Sequence, residues 1–292
     1  MTNTSADPVP SITEADATGN IAAIYTDIRA TLGVPVVNLI WRHLAVFPEG
    51  LPWAWESLKP LYASGAIAAQ AAALRAGLEV PVLPGLSGPA LAAAGLSNDA
   101  LTRITLILRS YERSNALNMI ALGALLSRLE GKSPTEIEPV FPIQNENPIE
   151  GELPTLLTLD AMAPPVRALV EDMNRIGGHQ EILASMYRHL AHWPVYLALI
   201  HVLIAPFEAK GRLNPLISNV IADGRRRATQ IAGGLASPEK TPSQDFQNDL
   251  RPALAKFVHG PISKMIAIVP LIRQAMPPRS HPTAHHYGPG SG

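Results

Sequence analysis

Apolar residues recur at intervals of three and four along most of the chain, the spacing that places them on one face of an α-helix. Alternating β-branched runs, which predict strands, are absent apart from one short stretch. The pattern therefore predicts an all-α fold. The expected elements are helices over 21–32, 36–46, 51–78 and 101–129, with a proline- and glycine-rich loop over 81–95.

The chain repeats itself at an offset of 146 residues. Trp-Arg-His-Leu-Ala-Val-Phe-Pro at 41–48 returns as Tyr-Arg-His-Leu-Ala-His-Trp-Pro at 187–194. Matches far apart at one fixed offset indicate a duplication. The sequence thus predicts two tandem homologous helical bundles related by a pseudo-two-fold axis. The same offset joins further pairs: Ser97 with Ser243, Asp99 with Asp245, Tyr111 with Phe257 and Met119 with Met265.

The repeat divides the chain into four parts. The first helical repeat is expected over 1–131 and the second over 162–278. Between them, 132–161 carries several prolines together with Asn and Glu, a composition typical of an extended linker. The last part, 279–292, combines three histidines with glycine and proline and is predicted to be disordered.

Composition narrows the function classes. The net charge of −1 excludes an electrostatic attraction to nucleic acid or to an anionic membrane, and no apolar run approaches the ~20 residues that a bilayer needs. The chain has no cysteine, which fits a reducing compartment, so we expect a soluble cytoplasmic protein. Apolar residues make up 47% and charged residues only 16%, which favours a partner covering an apolar face, with a homodimer as the candidate.

Candidate chemistry lies in polar residues on apolar helices, since no Gly-rich phosphate loop or zinc motif occurs. Tyr111, Asn115 and Asn118 share one face of the longest predicted helix. A buried hydrogen bond between helices explains them equally well. However, the second copy has Pro261 and Lys264 at the positions of the two asparagines, and polarity in one copy only favours a site used once.

The duplicated helix carries a second set of candidates. Arg42 with His43 returns as Arg188 with His189, and recurrence in both copies favours a structural role in each. His189 and His192 are three residues apart, but no carboxylate lies at a spacing that would complete a metal site. No metal site is therefore predicted.

The blocks 16–35 and 42–48, together with 101–126 and 184–194, resemble the group I 2-haloacid dehalogenases. The resemblance implies an all-helical fold of two repeats with the active site between them. It also implies a cofactor-independent enzyme that acts on both enantiomers of short 2-haloacids, with an activated water attacking the halogen-bearing carbon directly.

Carried over residue by residue, the resemblance is uneven. Asn115 falls on the asparagine that helps to hold the catalytic water, and Ser185 falls on the serine beside the catalytic aspartate. The aspartate position itself is Met186, whose thioether cannot take a proton from water. The substrate-contacting positions fall on Val36, Leu39 and Val258, and Asn118 is a further candidate for substrate binding.

Three functions stay open at this point. The first is altered chemistry on a more apolar substrate, with Glu112, His189 or His43 as the base. The second is a non-catalytic protein that binds a small molecule in the same pocket, since aliphatic residues and Met186 make that pocket drier. The third is a purely structural dimerising protein.

Overall fold

Every regular element that the structure describes is helical, which confirms the all-α prediction. The structure is a computed structural model and describes residues 9–132, 146–178, 181–238 and 243–277. Its α-helices are α1 (Gly19–Leu32), α2 (Leu39–Leu44), α3 (Gly50–Ala63), α4 (Ala66–Ala76), α5 (Gly88–Ala93), α6 (Asn98–Leu129), α7 (Pro164–Arg175), α8 (Ser185–Leu190), α9 (Pro194–Ala209), α10 (Leu213–Ile231), α11 (Gln244–Phe257) and α12 (Ser263–Gln274). Short 3₁₀ turns occupy Leu159–Ala161 and Ala232–Gly234, and a π-helical segment, Val258–Ile262, joins α11 to α12.

The helix α6 forms the centre of the molecule, with α4, α10 and α12 packed around it. Its first turn is capped by Ser97, whose hydroxyl accepts a hydrogen bond from the backbone N–H of Ala100 at 3.1 Å. Every residue from 114 to 127 is buried. A helix that is buried on all sides has no solvent face, so even its polar side chains must find partners within the core.

Two predicted elements differ from the structure. The stretch 51–78 is two helices, because Gly65 adopts a left-handed φ of 76° that ends α3 and redirects the chain into α4. The short helix α5 lies inside the predicted loop 81–95, capped by the side chain of Ser87. The predicted tail 279–292 and the linker residues 133–145 lie outside the described residues.

Element boundaries recur at the offset of 146 residues. Helices α2 and α8 match at both ends, and α6 and α11 begin 146 residues apart, after Ser97 and Ser243. The aromatic contacts also cross between the copies, since His189 lies 5.8 Å from Tyr111 and His43 lies 5.6 Å from Phe257, measured between ring centroids. The two-fold axis itself stays a prediction.

The second copy departs from the first at the segment Val258–Ile262. Pro261 has no N–H to continue the helix, and Gly260 adopts a non-helical φ of −110° and ψ of −110°. The hydroxyl of Ser263 donates to the carbonyl of Gly260 at 3.0 Å and stabilises the bulge. The bulge falls at the residue that corresponds to Asn115 in α6.

One helical stretch, 245–274, is long and apolar enough by composition to cross a membrane. Within its most apolar window, 72% of the residues are buried inside the protein. This is the behaviour of a core helix in a soluble protein.

Candidate functional site

A small cavity of about 40 Å³, here called the inner cavity, lies where α2, α6, α8 and the π-helical segment meet. It brings together four residues that the sequence singled out: Leu39, Asn115, Ser185 and Met186. Asn38, Tyr111, Phe257 and Pro261 complete much of its wall. By the volume that one water occupies, about 10–15 Å³ on the same measure, the cavity has room for about three waters.

Polar atoms on the wall of the inner cavity lack protein partners. The hydroxyl of Ser185 and the Oδ1 atom of Asn38 are buried and accept no hydrogen bond within the described residues. Asn115 donates from Nδ2 to the carbonyl of Tyr111 at 2.8 Å. That bond turns the amide back along its own helix. Unsatisfied buried oxygens around a cavity of this size are typical of a place that holds ordered water.

A larger pocket of about 550 Å³, here called the outer pocket, lies beside the inner cavity, and Tyr111 lines both. Its walls come from residues 13–15, 35–37 and 151–158, with His189 and two arginines at its base. The volume lies within the range of about 300–1,000 Å³ that is typical of small-molecule pockets. Val36 lines this outer pocket and Leu39 the inner cavity, so the two predicted substrate contacts are divided between them.

Tyr111 and His189 form a hydrogen-bonded pair between the two pockets, with 3.0 Å from the hydroxyl to Nδ1. Burial, together with the nearby charges of His192, Arg188 and Arg42, lowers the pKa of His189 to about 3. The backbone of Pro154 opposes this shift through a hydrogen bond to the ring. The imidazole is therefore neutral at pH 7, and its Nδ1 atom is assigned as the acceptor of a hydrogen bond from the Tyr111 hydroxyl.

The two arginines of the duplicated helix lie at the base of the outer pocket. Arg42 and Arg188 are both buried, and the Nε atom of Arg188 donates to the carbonyl of Leu157 at 2.6 Å. This bond connects the segment 151–158, which belongs to the C-terminal part of the predicted linker, to α8. The arginines thus have the structural role that their recurrence indicated, and they also place positive charge next to the pocket.

The chain matches no protein-family model. It is 29% identical over 220 residues to a configuration-inverting 2-haloacid dehalogenase of Alcaligenes xylosoxydans xylosoxydans, covering 70% of this chain and 73% of that protein. It is 28% identical to a configuration-inverting 2-haloacid dehalogenase of Pseudomonas sp. (strain 113), covering 65% of this chain and 64% of that protein. The chain is a homologue of the 2-haloacid dehalogenases.

Solved structures of D-2-haloacid dehalogenases are similar in fold to this chain. A complex of a D-2-haloacid dehalogenase mutant with D-2-CPA has a TM-score of 0.69 and 19% identity, with 91% of this chain and 96% of that chain covered. A second D-2-haloacid dehalogenase mutant has a TM-score of 0.70 and 18% identity over the same shares of the two chains. At this level of identity the likeness establishes the all-α fold.

Three predicted site residues, Glu112, Asn118 and Val258, line neither the inner cavity nor the outer pocket. Glu112 lines a different cleft and pairs with Arg273 at 3.0 Å, so the expectation that it acts as a base beside Asn115 is not supported. Asn118 accepts a hydrogen bond from Trp41 Nε1 at 3.0 Å, which is the inter-helix contact that the sequence left open as the structural alternative. Val258 is buried in the π-helical segment, and its neighbour Phe257 takes its place on the cavity wall.

The sequence reasoning did not identify Asn38 or Phe257 as parts of the site, and it named Tyr111 and His189 without pairing them. Two signals were available for them. Tyr111 shares a helix face with Asn115, and Phe257 is the repeat counterpart of Tyr111. As to metals, no group of three or more histidine, aspartate and glutamate side chains converges among the residues that the structure describes.

Proposed function

We propose that this homologue binds a short aliphatic carboxylic acid without hydrolysing a carbon–halogen bond. The observation that carries the proposal is the chemistry of the inner cavity. Met186 occupies the position beside Ser185, and no carboxylate or imidazole is among the described residues that line the cavity. Water held there has hydrogen-bond partners in Asn115, Ser185 and Asn38, but no group that takes its proton.

The missing base matters because neutral water is a weak nucleophile toward a secondary carbon. Positioned general-base help is typically worth about 10²–10⁴-fold in rate. An amide orients a water but does not accept its proton, and a serine hydroxyl would itself require a base. The geometry therefore retains the part of a dehalogenase site that positions water and lacks the part that activates it.

The organic ligand belongs in the outer pocket on grounds of size. The inner cavity of about 40 Å³ has no room for a 2-haloacid beside the present side chains, whereas the outer pocket offers about 550 Å³. Val36, Leu153 and Leu156 give this pocket an aliphatic wall, and its charged lining residues are Arg42, Arg188, Glu14 and Glu152, of which Glu14 pairs with Arg29. The relatives' names, which specify 2-haloacids, support the carboxylate.

Altered hydrolysis, the rival function, would depend on His189. Its imidazole lines the outer pocket, but burial lowers its pKa to about 3. A general base works best when its pKa lies near the operating pH, so a group that titrates near 3 draws a proton from water only weakly at pH 7. The site therefore supports binding better than catalysis.

We also propose that the inner cavity lies between two helical repeats. Its support is that Leu39 and Asn115 come from the first predicted repeat, whereas Ser185, Met186 and Phe257 come from the second. A homodimer and a cytoplasmic location belong to the same proposal, and both follow from the low charge and the absence of cysteine. The mass of the purified protein in solution tests the dimer directly.

The experiment combines halide release with calorimetric binding. We expect no release from either enantiomer of 2-chloropropionate and saturable binding of hexanoate. Val36→Trp fills part of the outer pocket and is expected to weaken hexanoate binding at least tenfold. Val82→Trp changes a valine that is 84% exposed and is the matched control. Rapid halide release by the unaltered protein refutes the proposal, and so does equal hexanoate affinity in both variants.

A further inference from the structure

A cleft of about 790 Å³ on another side of α6 concentrates positive charge. It is formed by α4, the segment 146–149, α6 and α12, and it shares no lining residue with the inner cavity or the outer pocket. We propose that this cleft binds a phosphate group, either free phosphate or a phosphate monoester. Its ionised side chains are Arg75, Arg109, Glu112, Arg113, Glu146 and Arg273.

The charges of the cleft do not cancel. Four guanidinium groups face two carboxylates, an excess of two positive charges in a chain whose net charge is −1. Arg75 pairs with Glu146, and Arg273 pairs with Glu112 at 3.0 Å. Each carboxylate thus has one arginine close to it, and two further arginines are left over. The two remaining positive charges lie on neighbouring turns of a helix and repel each other, and a bound dianion would offset this repulsion.

The two remaining arginines lie one turn apart on α6. Arg113 donates from Nη1 to the carbonyl of Asn147 at 2.8 Å, and its distance to the nearest Glu146 carboxylate oxygen is 3.9 Å. Arg109 is exposed and makes no hydrogen bond or ion pair within the described part of the chain. Arg113 also donates from Nη2 to the carbonyl of Glu146 at 3.3 Å, so Arg113 is anchored in the cleft wall, whereas Arg109 is available to an anion.

Buried donors that lack an acceptor within the described residues also support an anion site. The Nε–H groups of Arg75 and Arg113 are buried and donate to no acceptor within the described residues. A buried charged donor without an acceptor raises the free energy of the folded protein. A bound oxyanion would accept these hydrogen bonds and so remove that cost. Burial also lowers the pKa of Arg113 and raises the pKa of Glu112, so these two side chains are partly shielded from water.

Phosphate fits this arrangement better than a monoanion does. A dianion matches the excess of two positive charges, and the planar guanidinium fork matches the spacing of phosphate oxygens. The cleft is also larger than phosphate alone, and Leu78, Val80 and Ile266 form an apolar part of its wall. That wall accommodates the organic group of a monoester.

Calorimetric titration with inorganic phosphate and with phenyl phosphate, at constant ionic strength set with sodium chloride, tests the proposal. We expect saturable binding of at least one of the two. Tighter binding of phenyl phosphate identifies a monoester as the ligand, and equal or weaker binding identifies free phosphate. Absence of saturable binding of both overturns the proposal.

Two matched variants on α6 separate a site from general charge screening. Arg109→Gln removes a cleft arginine without breaking a contact within the described residues and is expected to weaken binding at least tenfold. Arg103→Gln removes the same charge two turns away, where Arg103 pairs with Asp99 at 3.0 Å outside the cleft, and is expected to change binding less than twofold. Equal losses in the two variants refute a specific site. The melting temperatures of both proteins verify that they are folded.

Discussion

Met186→Asp restores a carboxylate at the position where the dehalogenase resemblance places the catalytic aspartate. The substitution has a stability cost, because Met186 is fully buried. Loss of its packing costs about 2–5 kcal/mol, as for other buried methionines that are truncated. The domain's total stability is typically about 5–15 kcal/mol, so we expect a folded protein with a lower melting temperature.

The gain in activity follows from the neighbours of the new carboxylate. Asn115 and Ser185 already line the inner cavity, and aspartate is shorter than methionine, so the variant gains both a base and room for a substrate beside that water. We expect halide release from 2-chloropropionate to rise by about 10²–10⁴-fold over the unaltered protein. Burial against Leu39 raises the pKa of the introduced carboxyl, since desolvation disfavours the charged form. Because only the ionised form is a base, the rate is expected to increase with pH until that group is deprotonated.

The assay is release of chloride from each enantiomer of 2-chloropropionate between pH 6 and 9. Met186→Asn is the matched control, because it has the same shape and polarity but no basic group, and it is expected to stay at the level of the unaltered protein. Asn115→Ala is expected to abolish the gain in the double variant. If Met186→Asp is folded yet releases no chloride at any pH, the inner cavity is not the place where substrate and water meet. Equal rates in Met186→Asp and Met186→Asn refute the role of the base.

Three further predictions concern stability. The pKa of His189 is about 6.5 in the unfolded chain and about 3 in the folded protein, so the unfolded state binds more protons below pH 6.5. The free energy of unfolding is therefore expected to fall by about 3 kcal/mol between pH 7 and pH 4. Urea unfolding of His189→Phe is expected to lack this part of the loss. Burial lowers the pKa of Lys264 to about 8, so between pH 8 and 10.5 the unfolded state binds more protons than the folded state. The free energy of unfolding is therefore expected to rise by about 3 kcal/mol over this range. Lys264→Met is expected to abolish that rise in the same assay. Asn118→Leu leaves the Trp41 N–H without its acceptor and is expected to destabilise the protein by about 1–3 kcal/mol in urea unfolding, whereas no loss would contradict the structural role of Asn118.

Most of the fold was predictable because its helices carry local signals. Ser97 both begins the longest predicted helix and caps α6 in the structure, and Gly33 ends α1 with a left-handed φ of 61°. The division between α3 and α4 was missed because alanine and leucine are good helix formers on both sides of Gly65. A single glycine is tolerated within a helix, and only packing shows that this one adopts a left-handed conformation.

The site was predictable only in part, for a related reason. Leu39, Ser185 and Met186 lie on the short helices α2 and α8 that carry the repeated motif, and they meet Asn115 of α6 at the inner cavity. On α6 the argument from helix faces was weaker, since every residue from 114 to 127 is buried. Periodicity cannot distinguish the sides of a helix that is apolar all round, so Glu112 was assigned to a cavity that it does not line.

The inner cavity takes different kinds of residue from the two predicted repeats. The first copy keeps a continuous α6, which presents Asn115 with its amide turned back to Tyr111. At that position the second predicted repeat has Pro261, and the π-helical segment, together with Phe257 at the end of α11, supplies an apolar wall. The first predicted repeat thus provides Asn38 and Asn115, whereas the second provides Ser185 beside this apolar wall. Because Met186 lies next to Ser185 on α8, we expect Met186→Asp to place a base beside the water and to convert binding into hydrolysis.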